Sequence, residues 1–256
     1  AAREKFLKLR PAIVNGLKPG ERILDIGCGC GQTTLALAQQ VTSLGSINGV
    51  DISAPMLAVA KARTLPDGAA TPQFLELDAQ SAALGDAIYD AIFSRFGVMF
   101  FSDPTAAFTN LRRALKPTGR LAFVCWQPYQ QNLWMRLPME AAQPFLPPPQ
   151  PSDPTAPGPF AFSDADRIRS ILGDAGFADV TITPFKASIG GATVEQTLDL
   201  TFRVGPLGAA LRSQPELSAT VAGAVKTVLV DFETPDGVLM PAAVWIVQGR
   251  AGLARS

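Results

Sequence analysis

Short apolar runs alternate with longer, more polar segments through the first half of the chain. Each run is bounded by glycine, proline or acidic residues, a pattern that is typical of buried strands in a parallel sheet. The segments between the runs carry apolar residues at helical spacing, which predicts helices on the faces of that sheet. The predicted strands are residues 23–26, 46–50, 73–77, 90–94 and 120–126. The predicted helices are residues 32–41, a segment that starts near Pro55, and residues 103–115.

The second half of the chain has a different pattern. Residues 127–162 contain a short apolar helix and then many prolines, which predicts a stiff segment that is either a surface linker or a lid over a site. Ser163 is the predicted cap of the next helix, with Asp166 at the capping-box position. The other predicted elements are helices at residues 3–16, 163–175, 193–204 and 215–231, and strands at residues 179–182 and 242–247. The two late amphipathic helices are predicted to cover the site or to form a dimer contact.

The most informative stretch is R-I-L-D-I-G-C-G-C-G, residues 22–31, where a predicted strand ends in three alternating glycines before a helix. Glycine allows a sharp turn with positive φ and lets a ligand approach the backbone, so this is a nucleotide-type site. A dinucleotide-binding turn needs a third glycine at the position that Gln32 occupies. A glycine-rich loop without any ligand is the alternative at this point.

Acidic residues follow the next two predicted strands. Asp51 can accept both hydroxyls of a ribose. The alternative is that either Ser53 or Asp51 caps the following helix. Ile52 and Met56 would flank an adenine, although a core position is nearly as good an interpretation for Met56. After the third strand comes Asp78, which can accept an adenine amino group or can be an ordinary loop residue.

The fourth strand is followed by Arg95, Phe96 and a run of large apolar residues, which is unusual for a surface loop. Ligands of open α/β sheets bind beyond the carboxyl ends of the strands, so Arg95 either pairs with a ligand carboxylate or forms a structural pair with a nearby aspartate. Phe96, Trp126 and Trp134 are candidates for the substrate side of such a site. Together with Met99 and Phe100, they favour a small apolar or amphipathic substrate.

Four features in this order resemble the class I S-adenosylmethionine-dependent methyltransferases, in particular the quinone-biosynthesis type that acts on small molecules. They are the D-x-G-x-G-x-G turn from Asp25 to Gly31, Asp51, the Asp78–Ala79 pair, and the K-P-T-G sequence at residues 116–119, where K-P-G-G is more usual. The resemblance covers roughly residues 20–126. It implies an α/β, Rossmann-like sheet of seven mostly parallel strands with an antiparallel last strand, helices on both faces and a helical insertion before that last strand.

The resemblance also implies S-adenosyl-L-methionine as cofactor and transfer of its methyl group by direct displacement, for which no catalytic residue is strictly required. Two alternatives stay open: a nicotinamide-dependent oxidoreductase, and a protein that binds S-adenosylmethionine without turnover. The whole chain is predicted to be a single methyltransferase domain, with a cofactor-binding core at residues 20–126, the lid at 127–162 and the cap with the last strand at 163–256. The implied cofactor-binding residues are Asp25, Gly27, Cys28, Gly29, Gly31, Asp51, Ile52, Met56, Asp78, Ala79, Gln80, Ser94 and Arg95.

The composition of the chain limits the classes of partner and cofactor that it is expected to bind. Lys plus Arg and Asp plus Glu number 22 each, which gives no net attraction to nucleic acid, and no sequence typical of DNA or RNA methylation is present. No apolar stretch is long enough to span a bilayer, and no secretory leader is evident. The chain has three cysteines and no histidine, so neither a zinc site nor an imidazole base is expected. These features predict a cytoplasmic enzyme without a metal, whose copies could pair as a homodimer.

Overall fold

A mixed sheet organises the computed structural model, which describes residues 16–148 and 153–252. The strands are β1 (Arg22–Ile26), β2 (Ser46–Asp51), β3 (Pro72–Glu76), β4 (Tyr89–Arg95), β5 (Leu115–Trp126), β6 (Phe177–Ala192), β7 (Glu233–Thr234) and β8 (Gly237–Ala251). The helices are α1 (Gln32–Val41), α2 (Ala54–Lys61), α3 (Pro104–Ala114), α4 (Leu133–Ala142), α5 (Ala165–Asp174), α6 (Val194–Arg203), α7 (Gly205–Ser213) and α8 (Ser218–Val230). The strand order is β3-β2-β1-β4-β5-β8-β6, and the short β7 pairs with β8.

Strand β1 occupies the centre of the parallel part of the sheet. Its Ile23 lies in register with Ile47 of β2 on one side and with Ala91 of β4 on the other. The four residues after Arg22 are buried, as expected for a strand with helices on both faces. Because the strand order reverses between β1 and β4, the carboxyl ends of these two strands open a crevice where ligands bind in open α/β sheets.

Helix α1 begins directly after the glycine turn and packs on the sheet through Leu37, Ala38 and Val41. These side chains contact Ile23 and Ile47 in one buried apolar cluster. Burying a leucine-sized side chain contributes roughly 1.5–3 kcal/mol, so this cluster holds the helix that follows the turn firmly against the sheet. The strand and helix on either side of the glycines are therefore a rigid frame for the turn.

The K-P-T-G sequence forms a bulge at the start of β5. Tyr89 pairs with Leu115 and Ala91 pairs with Arg120, so the four residues between Leu115 and Arg120 lie opposite one residue of β4. Lys116 closes this bulge with an ion pair to Asp90, at 2.7 Å between Nζ and Oδ1. The sequence predicted that the strand would start at Arg120, and the structure extends it to Leu115 across the bulge.

The chain forms two compact units. In the described part, the larger unit comprises residues 16–125, 157–183 and 245–252, and the smaller unit comprises residues 126–148, 153–156 and 184–244. The larger unit has an aromatic core in which the Phe108 ring lies 5.5 Å from Phe123 and 6.0 Å from Phe162, between ring centroids. In the smaller unit, helices α4, α6, α7 and α8 enclose their own apolar cluster.

The predicted fold class is confirmed: the sheet is mostly parallel with antiparallel end strands, and helices surround it. The prediction of helix 32–41 matches α1 residue for residue. Two strand predictions were too short, because residues 179–182 and 242–247 are only parts of the long β6 and β8. The predicted cap Ser163 is wrong: Asp164 accepts the Asp166 backbone N–H, one residue later.

Other sequence predictions have a different outcome or lie outside the structure. The eighth strand is the two-residue β7, which forms a hairpin with β8 and was not predicted. Helix α7 was not predicted, because its glycines and proline weaken the helical pattern. Residues 3–15 of the helix predicted at residues 3–16 lie outside the part of the chain that the structure describes. The division of the chain into core, lid and cap stays a prediction.

Candidate active site

A cleft of about 480 Å³ opens in the larger unit at the carboxyl ends of β1, β2, β3 and β4. Its walls are the turns that follow these strands, so it occupies the crevice that the strand order predicts. Most of its lining surface is apolar, and its polar groups are concentrated at the strand ends. A pocket of this kind, apolar with a few placed polar groups, is the general form of a small-molecule site.

The glycine turn after β1 is held by backbone bonds. The Cys28 N–H donates to the Val50 carbonyl at 3.1 Å, and the Gly31 N–H donates to the Cys28 carbonyl at 2.9 Å. Gly27 has φ +63°, and a Cβ on it would lie 2.7 Å from the Cα of Gly97. The turn after β1 therefore touches the turn after β4 backbone to backbone, which only glycine at position 27 permits.

Asp51 at the end of β2 uses both carboxylate oxygens to organise this wall. One oxygen accepts the Gly29 N–H at 2.8 Å, and the other accepts the Ser53 N–H at 2.9 Å. The Ser53 side chain makes no capping bond, so Asp51 orders the start of α2 in its place. Each oxygen of an ionised carboxylate has about two acceptor positions, so Asp51 can still accept hydroxyl groups from a ligand in the cleft.

The loop after β3 presents Ala79 to the cleft. Ala79 is buried, and its backbone N–H has no hydrogen-bond partner among the residues that the structure describes. Asp78 also lines the cleft, and its oxygens accept the Gln80 N–H at 2.9 Å and the Ser81 hydroxyl at 3.2 Å. An unpaired buried amide is costly, so the Ala79 N–H is a candidate donor to a ligand.

The turn after β4 is strained and braced. Phe96 has φ +64°, a left-handed conformation that is unfavourable for an aromatic residue. Its N–H donates to the Val124 carbonyl at 3.0 Å, and Ser94 links the neighbouring turns by donating its hydroxyl to the Ile26 carbonyl at 2.8 Å. Ser94 also accepts the Gly97 N–H. These bonds hold Arg95, Phe96 and Gly97 at the cleft wall.

Asp25 lies behind the glycine turn and not on the cleft surface. It is 1% exposed, and the Thr34 hydroxyl donates to it at 2.7 Å. Complete burial raises the pKa of Asp25 to about 7, an effect that the Thr34 hydrogen bond and the charge of Arg95 partly counter. The geometry therefore makes Asp25 a buried support of the turn, tied to the first turns of α1.

Cys28 is buried in the same turn. Burial is the main reason that the pKa of its thiol rises to about 12, and the charges of Asp25 and Asp51 add to that rise. A thiol with so high a pKa stays protonated at neutral pH and is a poor nucleophile. The three cysteines of the chain are all free thiols. In the described part of the chain, no group of His, Cys, Asp or Glu side chains is placed to hold a metal ion.

The mouth of the cleft is apolar. Ile52 is 74% exposed, Met56 44% and Phe100 56%, and all three line the cleft. Large apolar side chains that stay this exposed in one cluster are unusual on a protein surface and mark a binding site. They line the same cleft as Asp51, where the flat face of a ligand could stack on them.

The structure brings together nine of the predicted site residues at the cleft surface, namely Gly27, Gly29, Asp51, Ile52, Met56, Asp78, Ala79, Arg95 and Phe96. Five others support the walls without lining them, namely Asp25, Cys28, Gly31, Gln80 and Ser94. A Cβ on Gly31 would lie 2.9 Å from both Ala60 and Phe74, so this glycine permits close packing of the turn on its neighbours. Gln80 accepts the Asp103 N–H at 2.9 Å.

Trp126 and Trp134 belong to the smaller unit, where their ring centroids lie 5.2 Å apart. Their role toward a substrate stays a prediction. Gly97, Phe100 and Phe101 also line the cleft. The sequence analysis had considered the first two without assigning them a binding role, and it had missed Phe101. The run of large apolar residues after β4 was the sequence feature that could have identified Phe101.

Comparison with known proteins agrees with this geometry. Residues 24–123 match the family model described as methyltransferase domain. The ubiquinone/menaquinone biosynthesis C-methyltransferase UbiE of Paraburkholderia phytofirmans is 33% identical over 119 residues, which are 45% of this chain and 49% of that protein. The chain thus spans about half the length of the curated relatives that it matches.

Solved structures share the fold over nearly the whole chain. The YcgJ protein of Bacillus subtilis has a TM-score of 0.63 at 18% identity, covering 99% of this chain and 100% of its own. The phosphoethanolamine N-methyltransferase 2 of Haemonchus contortus, solved with S-adenosyl-L-methionine, has a TM-score of 0.58 at 17% identity, covering 98% and 53%. These matches show similarity to a methyltransferase domain over residues 24–123, the part of the chain that contains the glycine turn and the cleft wall.

Proposed function

We propose that this protein transfers the methyl group of S-adenosyl-L-methionine to a small, apolar or amphipathic molecule. One observation carries the proposal: the glycine turn, the Asp51 carboxylate and the unpaired Ala79 amide converge on one cleft at the reversal point of the strand order. A nucleoside needs a partner for its ribose hydroxyls, a donor to its base and open backbone beside its chain, and the cleft offers all three.

The residues present fit the cofactor. Asp51 would accept the ribose hydroxyls, because its oxygens keep acceptor capacity beyond the Gly29 and Ser53 amides. The exposed Ile52 and Met56 would flank the adenine. Ala79 would donate its N–H to the base, and Asp78 would accept the amino group. The nicotinamide alternative lacks support, since Gln32 replaces the glycine that a dinucleotide turn needs and the matches are to methyltransferases.

The chemistry that the cofactor supplies is an activated methyl group on a sulfonium. The protein therefore has to hold the acceptor in line with that group and to exclude water, both of which lower the barrier without any covalent step. The apolar lining of the cleft, with Phe96 and Phe100 on the β4 side, suits these tasks. Arg95 on the same wall can meet a carboxylate of the cofactor or of the acceptor.

The acceptor remains a small molecule of low polarity in this proposal. The UbiE relative is named as a C-methyltransferase of ubiquinone and menaquinone biosynthesis, so electron-rich quinols and phenols are the first candidate acceptors. Trp126 and Trp134 are proposed to contact the acceptor. Their tilted pair supplies an aromatic surface of the kind that such rings stack on.

Two further predictions belong to this proposal. The equal numbers of basic and acidic residues support a function without nucleic acid. Two copies are also proposed to pair as a homodimer, which light scattering after gel filtration would measure. We place the protein in the cytoplasm, where free thiols such as Cys28 and Cys125 persist. No helix in the described residues has the length and apolar character that a membrane crossing requires.

Two measurements test the function. Calorimetry with S-adenosylhomocysteine tests the cofactor, and transfer of an isotope-labelled methyl group from S-adenosylmethionine to a panel of quinols, phenols, amines and thiols tests the reaction. We expect binding in the micromolar range and turnover of at least one acceptor class. Binding without turnover of any panel member would favour the non-catalytic alternative, and absence of binding would refute the proposal.

A further inference from the structure

The loop that presents Ala79 is closed by its own backbone and by one acidic side chain. The Ala82 N–H donates to the Asp78 carbonyl at 2.8 Å, and the Gln80 N–H donates to the Asp78 carboxylate at 2.9 Å. These bonds fix the N–H side of the peptide between Ala79 and Gln80. They leave the carbonyl oxygens of Ala79 and Ala82 without a partner inside the loop.

Asn110 on α3 supplies that partner from outside. Its Nδ2 donates to the Ala79 carbonyl at 3.0 Å and to the Ala82 carbonyl at 2.9 Å. Its Oδ1 accepts from the Arg113 guanidinium at 2.9 Å, which fixes the orientation of the amide, because a flipped amide would point NH₂ at a donor and oxygen at two acceptors. One side chain on a rigid helix therefore holds both ends of the loop.

We propose that Asn110 is a positioning residue for recognition of the adenine base. The inference rests on the proposed function. The peptide between Ala79 and Gln80 is held at its carbonyl by Asn110 and at its N–H by Asp78, so the Cα of Ala79 is fixed from one side. The preceding peptide carries the unpaired Ala79 N–H at the cleft, and its direction depends on that fixed Cα.

A structural role alone would predict a different result. The two carbonyls are only partly buried, so water can replace Asn110 with a small loss of stability. Replacement by water would nevertheless free the loop, and a site that relies on one backbone donor loses selectivity when that donor moves. The effect of removing the Asn110 donor should therefore depend on the base of the ligand.

The test compares two ligands that differ only at the base. S-inosylhomocysteine has a 6-oxo group and an N1–H. Its base therefore presents a donor to the Ala79 N–H at the position where adenine presents an acceptor. We expect the wild-type protein to prefer S-adenosylhomocysteine by at least about tenfold, the range for a mismatched hydrogen bond at a built site. In Asn110→Asp, which keeps the shape and the acceptor for Arg113 but removes the donor, that preference should fall to about twofold.

Two further variants complete the experiment. Asn110→Ser keeps one hydroxyl donor and should show an intermediate preference, and it guards against misfolding of the aspartate variant. Thr109→Ala is the matched control, because the Thr109 hydroxyl donates to the Thr105 carbonyl on the exposed surface of the same helix. Its preference should equal that of the wild type.

The outcomes separate the inference from the proposed function. A selective weakening of S-adenosylhomocysteine, with the inosine analogue bound as before, supports the role of Asn110. An unchanged preference in Asn110→Asp, or equal weakening of both ligands with a lower melting temperature, overturns it while the proposed function stands. A wild-type protein that binds neither ligand overturns the proposed function and the inference with it.

Discussion

Replacing Asp51 by asparagine removes one negative charge from the cleft at almost constant side-chain size. Its two carboxylate oxygens now accept the Gly29 N–H at 2.8 Å and the Ser53 N–H at 2.9 Å. An asparagine has one oxygen and one NH₂ group, so one of these two amides must face a donor. The substitution therefore weakens the wall of the cleft and removes an acceptor for the ribose.

The magnitude follows from the number of charged hydrogen bonds lost. A hydrogen bond to a charged group contributes about 1.5–3 kcal/mol, and the ligand would lose at least one of that kind from its ribose. The dissociation constant of S-adenosylhomocysteine should then rise about 10- to 150-fold. The free protein should lose about 1 kcal/mol of unfolding free energy for the amide left unpaired.

Titration calorimetry measures the change in the dissociation constant of S-adenosylhomocysteine. The matched control is Asp67→Asn, because Asp67 is an exposed loop acid that does not line the cleft. A ligand without the ribose 2′-hydroxyl completes a double-mutant cycle. The wild type should bind that ligand more weakly than S-adenosylhomocysteine, whereas Asp51→Asn should distinguish the two much less. Independent, additive effects of the substitution and the missing hydroxyl would show that Asp51 does not contact the ribose.

Three other substitutions test the turns. Because the pKa of Asp25 is raised from 3.8 to about 7, stability should fall as pH rises between these values. Relative to wild type, the unfolding free energy of Asp25→Asn should thus rise by on the order of 2 kcal/mol between pH 5.5 and 8.5, which is about 4–8 °C in melting temperature. A difference in stability between the two proteins that does not change with pH would contradict this. Phe96→Gly should be about 1 kcal/mol more stable than Phe96→Ala in urea unfolding, since φ is +64°, and the reverse order would refute the strain. Gly27→Ala should cost about 1–3 kcal/mol and weaken S-adenosylhomocysteine binding, whereas Gly173→Ala, with open space around it, should be neutral or stabilising.

The parts of the site that could be predicted from the sequence are those whose chemistry is local. A glycine turn between a strand and a helix needs only adjacent residues, and the observed helix α1 begins where the pattern indicates. The position of Asp51 follows from the same logic, because the carboxyl ends of parallel neighbours lie at one edge of the sheet. These residues could be placed in one cleft before any coordinates were known.

Side-chain surroundings could not be predicted in the same way. Asp25 and Asp51 are both acids at the carboxyl ends of neighbouring strands, yet Asp25 is 1% exposed and bonds to Thr34, while Asp51 lines the cleft. Asp25 pairs in register with Gly49, so Asp51 lies on the same face but two residues closer to the carboxyl edge of the sheet, and this difference in depth decides between the core and the ligand. Gln80 shows the same limit, since its side chain bonds to the Asp103 amide.

Asn110 could not be found from its neighbours in the sequence, because everything that it acts on is distant. It lies 31 residues after Ala79 and 28 after Ala82, and in the sequence it is an ordinary polar position on an amphipathic helix. Its importance arises only when the sheet brings α3 beside the loop after β3. The polar groups that shape such a cleft include backbone carbonyls, which leave no mark in the sequence, and so their partners become visible only through distances. We therefore expect positioning residues in this domain to be recognised from their contacts with backbone carbonyls in the walls of the cleft.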